Sequence, residues 1–373
     1  MNKFNPTAFT KAGILLLALG MWSAGCKKIE DHIDALQSYA QTNLTANNDE
    51  YVKPMQTDPT LLNSWGLAFN PTGIPWIASE AGNVSQVYSA EGATLIPPVK
   101  IPSASSLDGG GTPTGIVFNP TNDFVIPSAN SNPASAAKFI FDGDDGVISA
   151  WNGTRGGTAY RVAATTGGYF GLAIGHSGDV NYIYAANFKD GRIDVWDGQW
   201  NAVKMSFTDP FLPAKYSPFN IQAIGDNLYV MYARVGPGGD EDHVVGAGLV
   251  DIYTMTGKFI KRFATGGRLN APWGVALAPS SFDDHGKELL LVGNFGDGRI
   301  NAYRKDGKFL GQLTRPDHTT LEIEGLWSLQ FPPFTSSIDP NRLYFTAGPD
   351  DEKDGLFGYL SPFMTDNKDH GNY

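Results

Sequence analysis

A six-residue phrase recurs six times along this chain, at intervals of roughly fifty residues. Glycine is the second residue in five of the six copies, and apolar residues follow it. The copies are W-G-L-A-F-N from Trp65, T-G-I-V-F-N from Thr114, F-G-L-A-I-G from Phe170, F-N-I-Q-A-I from Phe219, W-G-V-A-L-A from Trp273 and E-G-L-W-S-L from Glu324. Such a period is typical of radial or stacked units, because no single unit can bury its own apolar face.

Each phrase is followed by a second apolar run, a tight polar turn and a third run. In the third unit these are Asn181–Phe188, Lys189–Gly191 and Arg192–Trp196, and the residues Ala202–Phe207 that follow can form a fourth strand. Short runs rich in β-branched and aromatic residues, separated by Asp-Gly, predict β-hairpins. Four strands of about six residues with short turns need about 40–50 residues, which matches the period.

The pattern therefore predicts an all-β fold, a six-bladed β-propeller with four-stranded blades. A solenoid is the alternative, but it needs capping units at both ends, and the first and last copies are ordinary. The sixth unit shows only three strands, while the stretch Tyr39–Leu44 precedes the first phrase without a partner of its own. We expect this N-terminal strand to close the last blade, so that the propeller covers residues 39–361 and residues 362–373 form a flexible tail.

The N-terminus carries a processing signal. Lys3 and Lys11 precede an apolar run, Ala12–Trp22, that is too short to span a bilayer, and Ser23-Ala24-Gly25 leads into Cys26, the only cysteine. This arrangement resembles the lipobox of bacterial lipoproteins, which implies a signal peptide over residues 1–25, lipidation of Cys26 and a tether over residues 26–38. A cleaved signal with an incidental cysteine is the alternative. The expected location is the bacterial cell envelope, facing the periplasm or the surface, with the lipid as the only membrane contact.

The charge of the chain limits its partners. The formal net charge is −11, and loss of Lys3 and Lys11 with the signal peptide would leave 25 basic and 38 acidic residues. An acidic chain of this kind is a poor binder of nucleic acid, and charge would not draw it to anionic lipid. We expect a monomer whose partner is a small molecule, a glycan or a protein.

Candidate ligand-binding residues lie where the first strands would line the central channel. They are Trp65, Phe170, Asn220, Trp273 and Glu324. Aromatic rings with a few polar groups could stack on a sugar or another flat ligand, although packing around a narrow axis explains the same residues. A carboxylate near the axis, such as that of Glu324, needs a partner, a metal or water.

Acidic turns between second and third strands are expected to gather at one mouth of the channel. They contain Asp142, Asp144 and Asp145 in blade 2, Asp240, Glu241 and Asp242 in blade 4, and Asp350, Asp351, Glu352 and Asp354 in blade 6. Such a mouth would attract cations, although acids also keep hairpin turns soluble. The connection 234–248 is long and glycine-rich, so Asp240, Glu241, Asp242 and His243 are candidates for a ligand lid, with a disordered insertion as the alternative.

Searches for familiar catalytic motifs give nothing. The chain has no H-E-x-x-H, no phosphate-binding loop and no G-x-S-x-G, and its histidines show no ligand spacing. The sequence therefore leaves any catalytic residues unknown and predicts no metal ligands and no cofactor, with calcium as a possible ion.

Several longer phrases resemble a family of secreted bacterial propellers with no assigned activity, broadly similar to six-bladed NHL-like proteins. These phrases span Asp58–Ala68, Ala185–Val195, Asp209–Pro213, Ser217–Gln222, Leu269–Pro279, Gly293–Ala302 and Leu343–Gly348. The resemblance implies the fold and assigns no reaction.

Two functions remain open at this stage, beside a purely structural role in the envelope. The first is a membrane-anchored binding or protein-interaction module. The second is a divalent-cation-dependent hydrolase of the gluconolactonase type, a class that holds its metal with Glu, Asn and Asp in the channel. Glu324, Asn220 and one rim aspartate are of the right type for calcium or magnesium, although their positions do not reproduce that pattern.

Overall fold

Six antiparallel sheets surround a central channel in the computed structural model, which describes residues 36–50, 52–129, 131–283, 286 and 288–363. The first strand of each sheet contacts the first strands of both neighbours, and the ring closes between the sixth sheet and the first. The predicted six-bladed propeller is confirmed. The predicted signal peptide, Cys26, the tether up to residue 35 and the tail from residue 364 lie outside the described residues.

The strands follow the repeat along the chain. The chain enters through β1 (Tyr39–Ala46) and β2 (Gln56–Thr57), which pair in parallel. Blade 1 contains β3 (Ser64–Phe69), β4 (Pro75–Ser79), β5 (Val84–Val87) and β6 (Val99–Lys100). Blade 2 begins with β7 (Pro113–Phe118), continues through a small hairpin of β8 (Val125–Ile126) and β9 (Ser135–Ala136), and ends with β10 (Phe139–Gly143), β11 (Val147–Trp151) and β12 (Tyr160–Ala164).

The second half of the ring repeats this order. Blade 3 contains β13 (Tyr169–Ser177), β14 (Val180–Asn187) and β15 (Arg192–Asp197). Blade 4 contains β16 (Tyr216–Ile224), β17 (Asn227–Arg234), β18 (Gly248–Thr254) and β19 (Phe259–Thr265). Blade 5 contains β20 (Pro272–Leu277), β21 (Leu289–Asn294), β22 (Ile300–Arg304) and β23 (Phe309–Gln312). Blade 6 contains β24 (Leu326–Gln330), β25 (Leu343–Ala347) and β26 (Leu356–Pro362).

Helical structure is limited to two short 3-10 turns in the described part of the chain, Gly153–Arg155 and Ser280–Phe282. None of the described helices has the length and hydropathy needed to cross a membrane.

Strand β1 closes the ring as the fourth strand of blade 6. It pairs antiparallel with β26 from Tyr39 opposite Pro362 to Ala46 opposite Leu356. Tyr39 and Leu44 are fully buried there, and the Tyr39 ring stacks on Phe282 of blade 5. The predicted closure is therefore confirmed, and it joins the two ends of the chain by backbone hydrogen bonds and apolar packing.

Blade 3 is the least complete sheet of the ring. Its predicted fourth strand, Ala202–Phe207, joins β15 through a single bridge between Trp196 and Ala202. The segment then leaves the sheet, and Phe207 contacts both Tyr184 of blade 3 and Tyr253 of blade 4. The other blades have their fourth strand in place.

Candidate functional site

Every repeated phrase forms a β-bulge at the start of an inner strand. In blade 1, Ser64 and Leu67 pair with Ser79 and Ile77, so the two residues between them, Trp65-Gly66, have no regular partners. A bulge bends its strand and redirects a side chain. Here it turns the first side chain of the dipeptide toward the axis of the ring.

The second residue of the dipeptide is glycine in four of the six blades, because neighbouring inner strands meet there. A Cβ atom added to Gly66 would lie 2.5 Å from the carbonyl oxygen of Thr114 in blade 2, and one added to Gly274 would lie 2.6 Å from that of Trp327. No side chain fits at such distances from backbone atoms. The repeated glycine is therefore explained by the packing of the inner strands around a narrow axis.

The redirected side chains pack together and close the channel at the end where the inner strands begin. We call this end of the ring the loop face. The Trp65 ring stacks on Trp327 at 3.5 Å between centroids, and Trp327 stacks on Phe295 at 3.8 Å. This cluster, the aromatic plug, consists of Trp65, Phe170, Phe188, Phe219, Trp273, Phe295 and Trp327.

Three of the predicted ligand-binding residues, Trp65, Phe170 and Trp273, thus lie in the plug. Trp65 and Trp273 are buried, and the Trp273 indole Nε1 donates to the Phe170 carbonyl at 2.8 Å. Their faces contact other rings of the plug, which matches the packing explanation given above. A role of these rings in stacking on a ligand stays a prediction.

Asn220 lies further along the channel than the plug. Its Nδ2 donates to the Trp273 carbonyl at 2.8 Å, and its Oδ1 accepts from the backbone of Ile221. It lines a cavity of about 210 Å³ that the inner strands enclose beyond the plug, together with Gln222 and Gln330. Asn220 is therefore separated from the acidic groups of the loop face.

The sixth copy of the repeat has a different register from the one that the sequence suggested. Leu326 and Leu329 pair with Ala347 and Phe345, so the bulged dipeptide of blade 6 is Trp327-Ser328. The expected alignment on Glu324-Gly325 is wrong by three residues. Trp327 takes the channel position, and Glu324 lies in the loop before β24.

This shift places Glu324 in a pocket at the mouth of the channel. The mouth pocket has a volume of about 550 Å³. Its lining residues come from the loops of blades 4, 5 and 6 and are His243, Phe295, Gly296, Asp297, Gly298, Arg315, Glu322, Glu324, Gly325, Asp351 and Glu352. The structure therefore brings together Glu324 and His243, two candidates that belong to different predicted groups.

Asn63 connects the mouth to the plug, and sequence reasoning missed it. Its Nδ2 donates to Glu80 at 3.1 Å and to Glu352 at 2.8 Å, and its Oδ1 accepts from the Trp327 indole at 3.0 Å. Asn63 is buried and has a φ of 43°, a left-handed conformation that asparagine tolerates better than most residues. The one signal in the sequence was its place two residues before the first phrase.

The two carboxylates that share Asn63 are hard to ionise. Burial raises the pKa of Glu80 to about 7, and the charges of Asp144 and Glu352 add to the effect. Burial also raises the pKa of Glu352, with a further contribution from Glu241 and an opposing one from His243. A cation in the mouth would favour ionisation of both groups.

The loop that holds Glu352 is strained. Asp350, Asp351 and Glu352 are consecutive non-glycine residues with φ of 54°, 51° and 65°. Each such residue costs about 1–3 kcal/mol, and backbone strain of this kind concentrates at functional sites. The Asp350 amide donates to Glu324 Oε1 at 3.1 Å, which ties the strained turn to the loop before β24.

The predicted lid is folded as an extension of blade 4. Arg234 pairs with Asp242 at 2.6 Å, and the Gly236 amide donates to the Asp240 carbonyl, so Asp240 and Asp242 stabilise the hairpin itself. His243 packs edge-on against Phe295, with ring centroids 5.1 Å apart. Glu241 lies 3.4 Å from His243, and this hydrogen bond raises the His243 pKa.

Other residues of the acidic and N-F-x-D-G-R turns stabilise their own blades. Asp142 is buried and accepts from the Gly115 amide at 2.6 Å and from the Thr114 hydroxyl, which fixes the bulge of blade 2. In blades 3 and 5 the asparagine of the matched N-F-x-D-G-R phrase donates to the aspartate three residues later, as Asn294 does to Asp297 at 3.0 Å. These contacts stabilise tight turns.

Metal coordination has little support from the geometry. Across the described residues, no group of three or more His, Cys, Asp or Glu side chains is placed to hold a metal ion. Calcium binding therefore stays a prediction from residue types alone.

Comparisons with known proteins identify relatives without an assigned activity. No family model matches the chain. Uncharacterized protein R648 of Acanthamoeba polyphaga mimivirus is 32% identical over 82% of this chain and 76% of its own length. Uncharacterized protein L690 of the same virus is 30% identical over 81% of each.

Solved structures resemble the chain in fold. The hydrazine synthase of Kuenenia stuttgartiensis has a TM-score of 0.50 at 13% identity, over 77% of this chain and 74% of that one. A streptogramin B lyase has a TM-score of 0.49 at 12% identity, over 87% and 98%. The likeness to the synthase concerns the fold alone. Both sequence relatives are viral, so the bacterial origin of this chain stays a prediction. At 32% and 30% identity over most of their length, the chain belongs to the family of β-propeller proteins that includes these two mimivirus proteins.

Proposed function

We propose that this protein is a binding module whose mouth pocket holds an organic cation, an amine or a guanidinium group. The observation that carries the proposal is the lining of that pocket. Five carboxylates, Asp297, Glu322, Glu324, Asp351 and Glu352, converge there with one arginine, and they belong to loops of two neighbouring blades.

The local charges favour a cation over an anion. Arg315 donates to the carbonyls of Thr320 and Glu322, and Arg299 pairs with the Glu322 carboxylate at 2.6 Å. These contacts compensate Glu322, and the Lys353 ammonium lies 3.8 Å from Asp351. Glu324 accepts a hydrogen bond from the Asp350 amide, and Glu352 accepts one from Asn63. A cation between the last two would form charge-assisted hydrogen bonds with both carboxylates.

The size and the walls of the mouth pocket suit a small organic cation. A volume of about 550 Å³ lies within the range of roughly 300–1,000 Å³ that ligand pockets occupy. Phe295 forms part of the wall, and an aromatic ring attracts a cation placed over its face. The positive-φ turn 350–352 gives one wall of the pocket a conformation that bound ligand could stabilise.

Calorimetric titration with agmatine at low salt tests the proposal. We expect saturable binding, and we expect Glu324→Gln and Glu352→Gln each to weaken it roughly tenfold, the value of one charge-assisted hydrogen bond. Both substitutions keep an oxygen acceptor for the Asp350 amide or for Asn63. Glu50→Gln, at an exposed carboxylate outside the pocket, is the matched control.

Two results would overturn this function. One is the absence of heat up to millimolar agmatine. The other is equal affinity in the wild type and both pocket variants, which would indicate non-specific attraction to an acidic protein. Titration at about 0.5 M salt distinguishes specific from non-specific binding, because salt screens the non-specific attraction.

The location of the module is a second part of the proposal. The resemblance of the residues before Cys26 to a lipobox supports a lipid anchor in a bacterial cell envelope. Expression in a bacterial host followed by membrane fractionation tests it. Cys26→Ser should release the protein from the membrane fraction, and an unchanged distribution would refute the anchor.

The alternative, a divalent-cation-dependent hydrolase, is tested in the same preparation. Calcium at a hundredfold excess over Kd would raise the free energy of unfolding by about 2.7 kcal/mol. If neither calcium nor a chelator changes the melting temperature, and Glu324→Gln behaves like the wild type, this alternative fails.

A further inference from the structure

The outer edge of blade 3 is open along half of its length. Strand β15 is six residues long, but only its end is paired, through the bonds Val203 N–H to Val195 O and Asp197 N–H to Asn201 O. Within the described residues, no strand pairs with Arg192–Asp194 on this side. A regular fourth strand would continue with a bond between Met205 and Ile193, and that bond is not formed.

The backbone of Ile193 points out of the sheet at this edge. In an antiparallel strand, the N–H and C=O of one residue point to the same side, and the side alternates along the strand. Val195 and Asp197 use their outward groups toward residues 201–203. Ile193, two residues before Val195, therefore presents one donor and one acceptor to the open edge, and Val195 presents its N–H.

The gap is held open from blade 4. Phe207 packs against Tyr253 and lies 3.1 Å from the position that a Cβ atom on Gly257 would occupy. Two residues later, the buried Asp209 carboxylate pairs with Arg262, which also pairs with Asp251. The segment 203–209 is thus held at both ends, to β15 at its start and to blade 4 at its end.

A groove of about 610 Å³ follows the open edge. The side chains of Val203, Met205 and Phe207 form an apolar wall along it. The opposite side is polar: Asp194 pairs with Arg192 at 2.7 Å and accepts a hydrogen bond from the Tyr169 hydroxyl at 3.1 Å, and Thr165 lies beside them.

We propose that this edge groove binds an extended peptide segment of a partner protein by strand addition. The segment completes blade 3 with backbone hydrogen bonds to Ile193 and Val195, places apolar side chains against Met205 and Phe207, and places hydroxyl side chains toward Asp194 and Arg192. Recognition of an unpaired sheet edge by backbone bonds, with alternate side chains giving specificity, is a general mode of peptide binding. The site is independent of the mouth pocket, because it lies on the outer side of a different blade.

The probe is the heptapeptide Lys-Val-Thr-Val-Thr-Val-Lys, acetylated and amidated, which alternates apolar with polar side chains. Its binding to the full chain is measured by calorimetry, and its position by hydrogen exchange of individual amides. We expect the Ile193 and Val195 amides to exchange rapidly in the free protein and to be protected at least tenfold by the peptide. The same peptide with N-methyl groups on its three valines has the same charge and side chains without those donors, and we expect it to bind at least tenfold more weakly.

A variant of the chain tests the edge itself. Ile193→Pro removes the outward N–H without removing a donor to β14, and Ile193→Val is the matched control for the lost side-chain volume. We expect the proline variant to lose peptide binding and the valine variant to retain it. If the proline variant does not fold, the comparison of the two peptides on the wild-type protein still tests whether backbone hydrogen bonds hold the peptide.

Three outcomes overturn the proposal. They are no binding of the unmodified peptide at millimolar concentration, equal binding of the N-methylated peptide, and protection that falls on the loop face while the Ile193 and Val195 amides stay unchanged. The last outcome would assign the basic peptide to the mouth pocket instead.

Discussion

Replacement of Glu80 by glutamine should remove the contribution of one buried carboxylate to the pH dependence of stability. The folded-state pKa of Glu80 is about 7 against a reference of 4.5, because burial disfavours its charged form. The unfolded chain therefore releases this proton near pH 4.5, whereas the folded protein retains it until near pH 7. Between these values the folded state binds more protons, so its stability falls as the pH rises.

The size of the effect follows from the shift. One unit of pKa corresponds to about 1.4 kcal/mol, so the full shift would be worth about 3 kcal/mol. Glu80 is partly exposed, and solvent screening reduces this to about 1–2 kcal/mol. Glutamine stays neutral at every pH and retains an oxygen that can accept from Asn63.

Urea unfolding at pH 4, 6 and 8 measures the difference. At pH 8 we expect Glu80→Gln to be more stable than the wild type by about 1–2 kcal/mol, and at pH 4 we expect the two to agree within about 0.5 kcal/mol. Glu50→Gln should follow the wild type throughout, because that carboxylate is exposed. Parallel stability profiles for wild type and Glu80→Gln across this range would refute the burial argument.

Two further substitutions test the ring. Leu44→Ala removes a fully buried side chain from the closing strand and should cost about 2–5 kcal/mol in urea unfolding, whereas Leu95→Ala, at an exposed leucine, should cost little. A loss below 1 kcal/mol for Leu44→Ala would show that the closing strand contributes little to stability. Gly274→Ala places a Cβ atom 2.6 Å from the Trp327 carbonyl and should destabilise the fold by about 2–4 kcal/mol, while Gly153→Ala meets no atom within 4 Å and should be near neutral. Equal stability of these two alanine variants would contradict the close approach of the inner strands.

The period of the repeat could be read without a structure because it is a local property of the chain. Short alternating runs with Asp-Gly turns, such as those around Lys189–Gly191, specify hairpins by backbone chemistry alone. The spacing of the phrases gives the size of a blade, and their number gives the number of blades. The unpaired stretch before Trp65 and the incomplete sixth unit together predicted the closing strand. These inferences depend on residues that are close in sequence, or on the count of strands that a closed propeller requires.

The site depended on register and on contacts between distant segments, and neither is visible in a sequence. In blade 6 the β-bulge lies three residues later than the sequence repeat suggested, and the sequence alone does not show the position of a bulge. Trp327 therefore points into the channel, and Glu324 lies at the mouth. Asn63 and Glu352 are far apart in the chain and meet only because the ring closes between blades 6 and 1. The sequence by itself determined which units form and how many there are, whereas the tertiary structure decided which side chains share the mouth, since closure of the ring brings together loops that local chemistry leaves independent.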